Sequence, residues 1–237
     1  MGKTHMLFEK DPYQRCASAR IVLSSNHGVV LDGTIFYPTG GGQPGDTGCI
    51  RLPNGEEVRI IDTQRDRQNP SQIMHICEAP IKLKSGTMIT AQIDWERRYK
   101  HMRMHSCLHL LSSIVDAPVT GCSISADRGR LDFDLPEPTA DKESITDLLN
   151  ALIKRSIPVC TRKISTLELG SYRDLIKTRS LQPPEFDGMV RLVEIEGVDT
   201  QPCGGTHVSN TSEIGAVRCR KIEKKSRHNR RIVIEFV

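Results

Sequence analysis

Aromatic side chains are scarce in this chain of 237 residues, where one Trp, four Tyr and five Phe make up 4% of the total. Recognition resting mainly on stacked flat rings is therefore not expected. Long apolar runs are missing too. No stretch approaches the roughly 18 residues of a membrane span, and residues 1–10 lack the apolar segment of a secretory signal, so a cytoplasmic protein with no membrane partner is expected. Internal repeats and low-complexity tracts are absent. The eight cysteines are spread without tight pairing, in a chain too large to need a disulfide framework, and are expected mostly as free thiols.

The residues present suit an ordinary soluble globular protein, with 37% hydrophobic and 26% charged residues, 18 Gly and 13 Pro. The length suits two modest domains. Up to about Asp94, short β-like runs alternate with turn residues: Ile21 to Leu23, Val29 to Tyr37, Cys49 to Leu52, Val58 to Asp62 and Thr87 to Asp94. Pro53, Asn54 and Gly55 form a hairpin-like turn. Residues 1–95 thus read as a small N-terminal β-barrel.

From Arg97 to Val115 the period becomes helical, with Met104, Cys107, Leu108, Leu111, Ile114 and Val115 at three- and four-residue intervals before Pro118. A second helix follows Thr139 or Asp141, either of which could cap it, with Ile145, Leu148, Leu149, Leu152 and Ile153 on one face. Strands are expected at Arg130 to Leu135, Val159 to Ser165, Val190 to Ile195, Ala216 to Glu223 and Arg231 to Val237. Residues 96–237 therefore read as a two-layer α/β domain with an antiparallel sheet, and the whole chain as α+β.

His105 and His109 are four apart on the expected helix, so their imidazoles leave one face a turn apart and can share a metal ion. Further on, Cys203-Gly204-Gly205-Thr206-His207 is a second soft-ligand pair, whose glycines let a loop fold tightly. Three His and one Cys favour zinc over oxygen-loving magnesium or calcium. A closed four-ligand ion would be structural, and one with a loose ligand could activate water or substrate; the spacing leaves both open. A zinc peptidase needs Glu directly after the first His, where this chain has Ser106. Cys107 points about 200° around the helix from His105 and is read as core. The glycine run at 40–42 lacks the Lys-Ser/Thr of a phosphate-binding loop, so ATP is not an expected partner.

The run from His105 to Leu111, joined with Cys203 to His207, resembles the editing domain shared by alanyl- and threonyl-tRNA synthetases and by the free-standing AlaX proteins. The segment from Phe36 to Gly48, which contains Gly40-Gly41-Gly42-Gln43-Pro44-Gly45-Asp46, is similar to the glycine-rich motif of the alanine branch, which threonyl enzymes lack. The resemblance covers nearly the whole chain and matches the medium AlaX class, similar to the editing domain of alanyl-tRNA synthetase. It implies an aminoacyl-tRNA deacylase that hydrolyses mischarged tRNA(Ala), chiefly Ser-tRNA(Ala) with Gly-tRNA(Ala) as a further substrate. A pocket shaped for alanine cannot strongly reject an analogue that merely adds a hydroxyl, so a second site must correct such errors.

By the same resemblance, Zn2+ would be held by His105, His109, Cys203 and His207. Thr120 would read the serine hydroxyl, and Gly41, Gly42 and Gln43 would wall the pocket. Neither metal motif contains Asp or Glu, so no protein base is assigned, and either a zinc-bound water or the neighbouring ribose hydroxyl is left to serve. Two rivals are a non-catalytic zinc-stabilised RNA-binding module and a threonyl-type editing domain. The net charge of +4 permits a polyanionic partner. Cations concentrate in Arg218, Arg220, Lys221, Lys224, Lys225, Arg227, Arg230 and Arg231, opposed within that stretch by Glu223, and this run is the expected tRNA phosphate contact.

Overall fold

Alternation of apolar and polar residues in the first half of the chain closes into a barrel. The computed structural model describes residues 3–137, 140–168, 185–186 and 188–237. It divides into two units, Met1–Gly40 with Pro44–Tyr99, and Gly41–Gln43 with Lys100–Val237. The first unit contains β1 (His5–Met6), β2 (Cys16–Ser25), β3 (Gly28–Leu31), β4 (Gly33–Thr34), β5 (Gly48–Arg51), β6 (Glu57–Arg65), β7 (Ile73–Cys77) and β8 (Met88–Ile93). Six of these close in the order β2-β3-β7-β6-β5-β8, while β1 pairs in parallel with β4. In β6, Val58 and Ile60 point inward and Arg59 and Ile61 outward, the period of two of a half-buried strand. The barrel core gathers Ile21, Val29, Leu31, Phe36, Ile50, Ile60 and Ile93.

The single run expected over Val29 to Tyr37 is broken in two at Asp32 and ends at Thr34. Side chains replace the ladder beyond that point. Phe36 N donates to Thr34 Oγ1 at 3.0 Å and Tyr37 N to Asp46 Oδ2 at 2.7 Å. Arg98, fully buried, donates through Nε to Asp46 at 2.8 Å and through its other nitrogens to the Pro12 and Ile35 carbonyls. A buried cation so satisfied fixes the start of the glycine-rich segment.

α1 (Trp95–Ile114) runs from the first unit into the second. The second unit continues with β9 (Val119–Ile124), β10 (Arg128–Asp134), α2 (Lys142–Lys154), β11 (Val159–Ser165), β12 (Glu185–Phe186), β13 (Met189–Ile195), β14 (Asp199–Pro202), β15 (Val217–Lys224) and β16 (Asn229–Phe236). One antiparallel sheet has the order β15-β16-β10-β9; the other joins β11, β12 and β14 to β13. Met104 and Leu108 of α1 lie against Gly129 of β10, and Thr146 and Asn150 of α2 hydrogen-bond β15 at Cys219 and Val217. Both helices therefore cover one face of the first sheet. Asp141 caps α2, accepting from Ser144 N at 2.7 Å, an interaction worth about 1 kcal/mol; Thr139, the other expected cap, lies outside the described residues. The α2 stripe is Ile145, Leu149 and Ile153, whereas Leu148 is exposed, because only the four-residue spacing stays on the packed side. A closed barrel, antiparallel sheets and two α-helices among the described residues make the α+β architecture that the sequence pattern implies.

Candidate metal centre

His105 and His109 leave the same face of α1 with their rings 5.4 Å apart, and both are buried. The loop after β14 brings Cys203 and His207 to them. His207 lies 4.2 Å from the His105 ring and 4.7 Å from the His109 ring. One donor atom from each of the four residues falls within 4.8 Å of the others. Cys203 Sγ faces His105 Nε2 at 3.4 Å and His207 Nε2 at 3.3 Å. The loop is tight because position 205 is glycine. A Cβ there would sit 2.1 Å from His105 Cε1. Buried Arg191 pins the same loop, donating from Nη1 to the carbonyls of Cys203 at 2.9 Å and Gly205 at 2.7 Å.

Each imidazole turns its Nδ1 away from the cluster toward a defined partner. His109 Nδ1 meets Asp199 Oδ2 at 2.8 Å, and a carboxylate can only accept, so Nδ1 carries the proton. His105 Nδ1 meets Gln43 Oε1 at 2.9 Å. The Gln43 amide is oriented by Thr206, whose N–H donates to Oε1 at 3.1 Å and whose Oγ1 accepts from Nε2 at 2.8 Å. That leaves His105 as donor. His207 Nδ1 pairs with Ser106 Oγ at 3.1 Å, an oxygen that also accepts from Val208 N. The partners of His105 and His109 thereby make Nδ1 the donor and turn Nε2 toward the cluster, while the Ser106 hydroxyl, able to donate or accept, orients His207 without fixing its tautomer. This outer ring of hydrogen-bond partners, around one thiol and three imidazoles, fits a soft or borderline divalent metal.

The charge states of Cys203 and His207 suit that fit, and that of His109 opposes it. Burial alone would raise the Cys203 thiol, but the His105 and His207 imidazoles beside it carry it well below its usual range, toward the thiolate. Burial, then His105, holds His207 neutral by lowering its pKa well below the ordinary value. At His109 burial opposes the charge, but Asp199 and the Cys203 sulfur outweigh it and raise the pKa to about 10. An ion entering the cluster must displace that proton.

Asp199 does more than face His109. Its Oδ1 accepts from Gln201 Nε2 at 2.8 Å, Gln201 also donates to Ser112 Oγ at 2.7 Å, and Ser112 Oγ donates to the His109 carbonyl at 2.9 Å. Asp199, Gln201, Ser106 and Arg191 carry no motif of their own. The alternation of Asp199 and Gln201 just before Cys203 was the available signal, since a period of two sets both on one side of a strand.

Gly41, Gly42 and Gln43 group with the second unit. Gly42 has φ +82°, its carbonyl accepts from Ile124 N at 2.8 Å, and a Cβ on it would lie 2.8 Å from Cys122 Sγ. Glycine lets this segment lie flush on the β9 edge, so that Gln43 reaches His105. Thr120 is the extra residue of a bulge in β9, where Gly121 pairs with Asp132 and Val119 with Phe133. It is exposed, its hydroxyl donating to the Asp132 carbonyl at 3.2 Å and accepting from Asn229 Nδ2 at 3.0 Å.

Most of the basic run is drawn into ion pairs, and one member turns inward. Arg218 and Arg220 pair with Glu235, Lys221 and Lys225 with Glu223, and Arg231 with Asp132. Lys224 and Arg227 are exposed. Arg230 is buried and donates to the Pro136 carbonyl, because its register places it opposite Phe133 on the inner side of the sheet.

Fold and site together define a class, an α+β protein whose His3Cys centre is assembled from one helix and a Cys-x3-His loop. Residues 190–233 match the family described as threonyl and alanyl tRNA synthetase second additional domain, and residues 9–97 match tRNA synthetases class II (A). The alanyl-tRNA editing protein AlaX-M of Methanosarcina barkeri is 35% identical over 99% of both chains. AlaX-M of Saccharolobus solfataricus is 31% identical over 97% of both. The alanine–tRNA ligase of Sulfurisphaera tokodaii is 36% identical over 93% of this chain and 25% of its own length. The chain belongs to the AlaX-M family of alanyl-tRNA editing proteins.

Proposed function

We propose that this chain is a free-standing editing hydrolase, an aminoacyl-tRNA deacylase that cleaves the ester joining wrongly attached serine, and secondarily glycine, to tRNA(Ala). The observation that carries the reading is the cluster of His105, His109, Cys203 and His207, with His105 and His109 oriented by Gln43 and Asp199, in a member of a family named for alanyl-tRNA editing. Zinc is the proposed ion, and when bound it would polarise and orient the aminoacyl ester. The protein's own part is to hold three imidazoles and one cysteine sulfur toward a common point, with His109 giving up a proton when the ion enters. Asp199 meets the cluster, but both its oxygens are engaged by His109 and Gln201, which supports proton transfer through the neighbouring ribose hydroxyl rather than a protein carboxylate.

In the same reading Gly41, Gly42 and Gln43 wall the amino-acid pocket, Thr120 reads the serine hydroxyl, and cations of the 218–231 region meet tRNA phosphates. Residues 1–95 form the barrel domain and 96–237 the editing domain. No ATP-dependent step is invoked, and no helix among the described residues is long and apolar enough to cross a membrane.

The test is incubation of the purified chain with labelled seryl-, glycyl- and alanyl-tRNA(Ala), with and without a chelator. Seryl and glycyl esters should be lost, alanyl ester spared, and chelator should stop the reaction. Intact seryl ester in the presence of zinc would falsify the reading and leave a non-catalytic RNA-binding module. Replacing the neighbouring ribose hydroxyl by hydrogen should slow hydrolysis strongly; unchanged rates would remove the substrate-assisted step.

A further inference from the structure

The sheet β15-β16-β10-β9 has helices on one face and charge on the other. Antiparallel register sets the rows of the open face: Arg218, Glu235 and Arg128 in one, Lys221, Val233, Arg130 and Ser123 in the next, Glu223, Arg231 and Asp132 in the third. Asp134, one row further along β10, ends the patch. Each carboxylate in these rows is shared by two cations. Glu235 is held by Arg218 at 2.6 Å and Arg220 at 3.1 Å, Asp132 by Arg130 at 2.6 Å and Arg231 at 2.8 Å, and Glu223 by Lys221 at 2.7 Å and Lys225 at 3.2 Å.

Every such triad retains one uncompensated positive charge. The carboxylates lie low, with Glu235 and Asp132 side chains 14% exposed, while Arg218, Arg220 and Lys221 are 49–63% exposed, so solvent meets cations first. Arg128 is exposed and has no side-chain ion pair among the described residues. Between Arg128, Arg130, Arg220, Lys221 and Arg231 lies a depression of about 370 Å³, reaching Ser123 and Ser125 on β9.

We propose that this open sheet face, with Arg128 and Arg130 of β10 as members alongside the cations of β15 and β16, is the surface on which the sugar–phosphate backbone of tRNA lies. The inference rests on the editing function above for the choice of tRNA. Its support is charge complementarity, since paired guanidinium groups held in fixed rows are suited to phosphate. The patch covers roughly 13 Å along the strands and 14 Å across them, enough for several phosphates. Ser123 lies on the patch, whereas its neighbour Cys122, against which Gly42 packs, faces the helix-bearing side with Leu131, and Gln43 next to Gly42 holds His105 there. A tRNA strand lying on the patch would have to turn over the β9 edge to reach the cluster. Arg230 takes no part, because it faces the inner side of the sheet.

The test measures binding of unacylated tRNA(Ala) to the full chain by fluorescence anisotropy across a salt series. Arg128→Gln should weaken binding and lower the slope of log affinity against log salt by about 0.7–1, the loss of one phosphate contact. Glu235→Gln, which frees Arg218 and Arg220, should tighten binding and steepen the slope, although a merely structural loss would do neither. Lys84→Gln, at an exposed position of the first unit, serves as control and should leave the slope unchanged. An unaltered slope for Arg128→Gln, weaker binding for Glu235→Gln, or an equal loss for Lys84→Gln overturns the proposal. Because uncharged tRNA is the probe, the surface can fail while seryl ester is still hydrolysed, and the editing reading can fail while the slopes behave as stated.

Discussion

Replacing Asp199 by Asn changes one atom of a side chain that touches no expected substrate, yet it should loosen the metal centre. Asp199 is 9% exposed and accepts from His109 Nδ1 through one oxygen and from Gln201 Nε2 through the other. Both neighbours are donors. Whichever way the Asn amide turns, its NH2 group faces one of them, so either His109 gives up the Nδ1–H tautomer or Gln201 lets go of the strand. If the tautomer switches, the proton moves to Nε2 and blocks the lone pair that the cluster needs. The lost bond is charge-assisted, worth about 1.5–3 kcal/mol. Partners behind a metal-bound histidine typically account for about 10- to 100-fold in affinity, or about 1.4–2.8 kcal/mol, so the two routes agree. Zinc affinity is measured by competition with a chromophoric chelator at fixed pH, with circular dichroism to verify the fold. The expected result is a 10- to 100-fold weaker site in a folded protein. Binding within twofold of the parent would refute the assignment of Asp199 as the group that orients His109.

Three further outcomes follow from local geometry. Gly205→Ala places a Cβ 2.1 Å from His105 Cε1, so the variant should emerge from dialysis without stoichiometric metal; full metal content measured by plasma emission would contradict the packing. Arg98→Met strands the Asp46 carboxylate, 1% exposed, without its cation. Stability in urea should fall by about 3–5 kcal/mol, and the double change Arg98→Met with Asp46→Leu should recover much of it; a loss under 1 kcal/mol for the single variant counts against a stabilising role for the buried pair. Burial lowers the pKa of His75 to about 4 from an ordinary 6.5. Between those values the unfolded chain binds the proton and the folded one does not. Stability from this group is therefore full above pH 6.5 and lost as pH falls toward 4, by about 3 kcal/mol in all. Urea midpoints over that window should show the slope in the parent and a shallower one in His75→Gln; equal slopes would assign the effect elsewhere.

The clustering of the four residues was legible because spacing alone expresses it: four residues on a helix set His105 over His109, and two glycines fold Cys203 back toward His207. The helices and most strands were legible for the same reason, as periodicity is local. What supports the ligands was not. Asp199 lies 90 residues from the histidine it meets, a contact that no single stretch of sequence reveals. Gln43 lies 62 residues from the histidine it orients. Arg230 belongs to a basic run yet points inward, since alternation along β16 separates it from Arg231. Arg128 and Arg130, far away in sequence, share the face that the run was expected to form alone. Thr120 owes its outward direction to a bulge, which breaks the simple period.

The placement of Gly41–Gln43 has a consequence for anyone who would cut this molecule. The unit carrying the metal centre is not one continuous piece of polypeptide, because the residue that fixes the tautomer of His105 is encoded before the barrel has been completed. A gene fragment beginning at Lys100 would specify all four ligands and still deliver a centre with one ring unguided. The two units are thus interleaved along the chain, and any exchange of the second must carry the glycine-rich segment along with the histidine that Gln43 contacts.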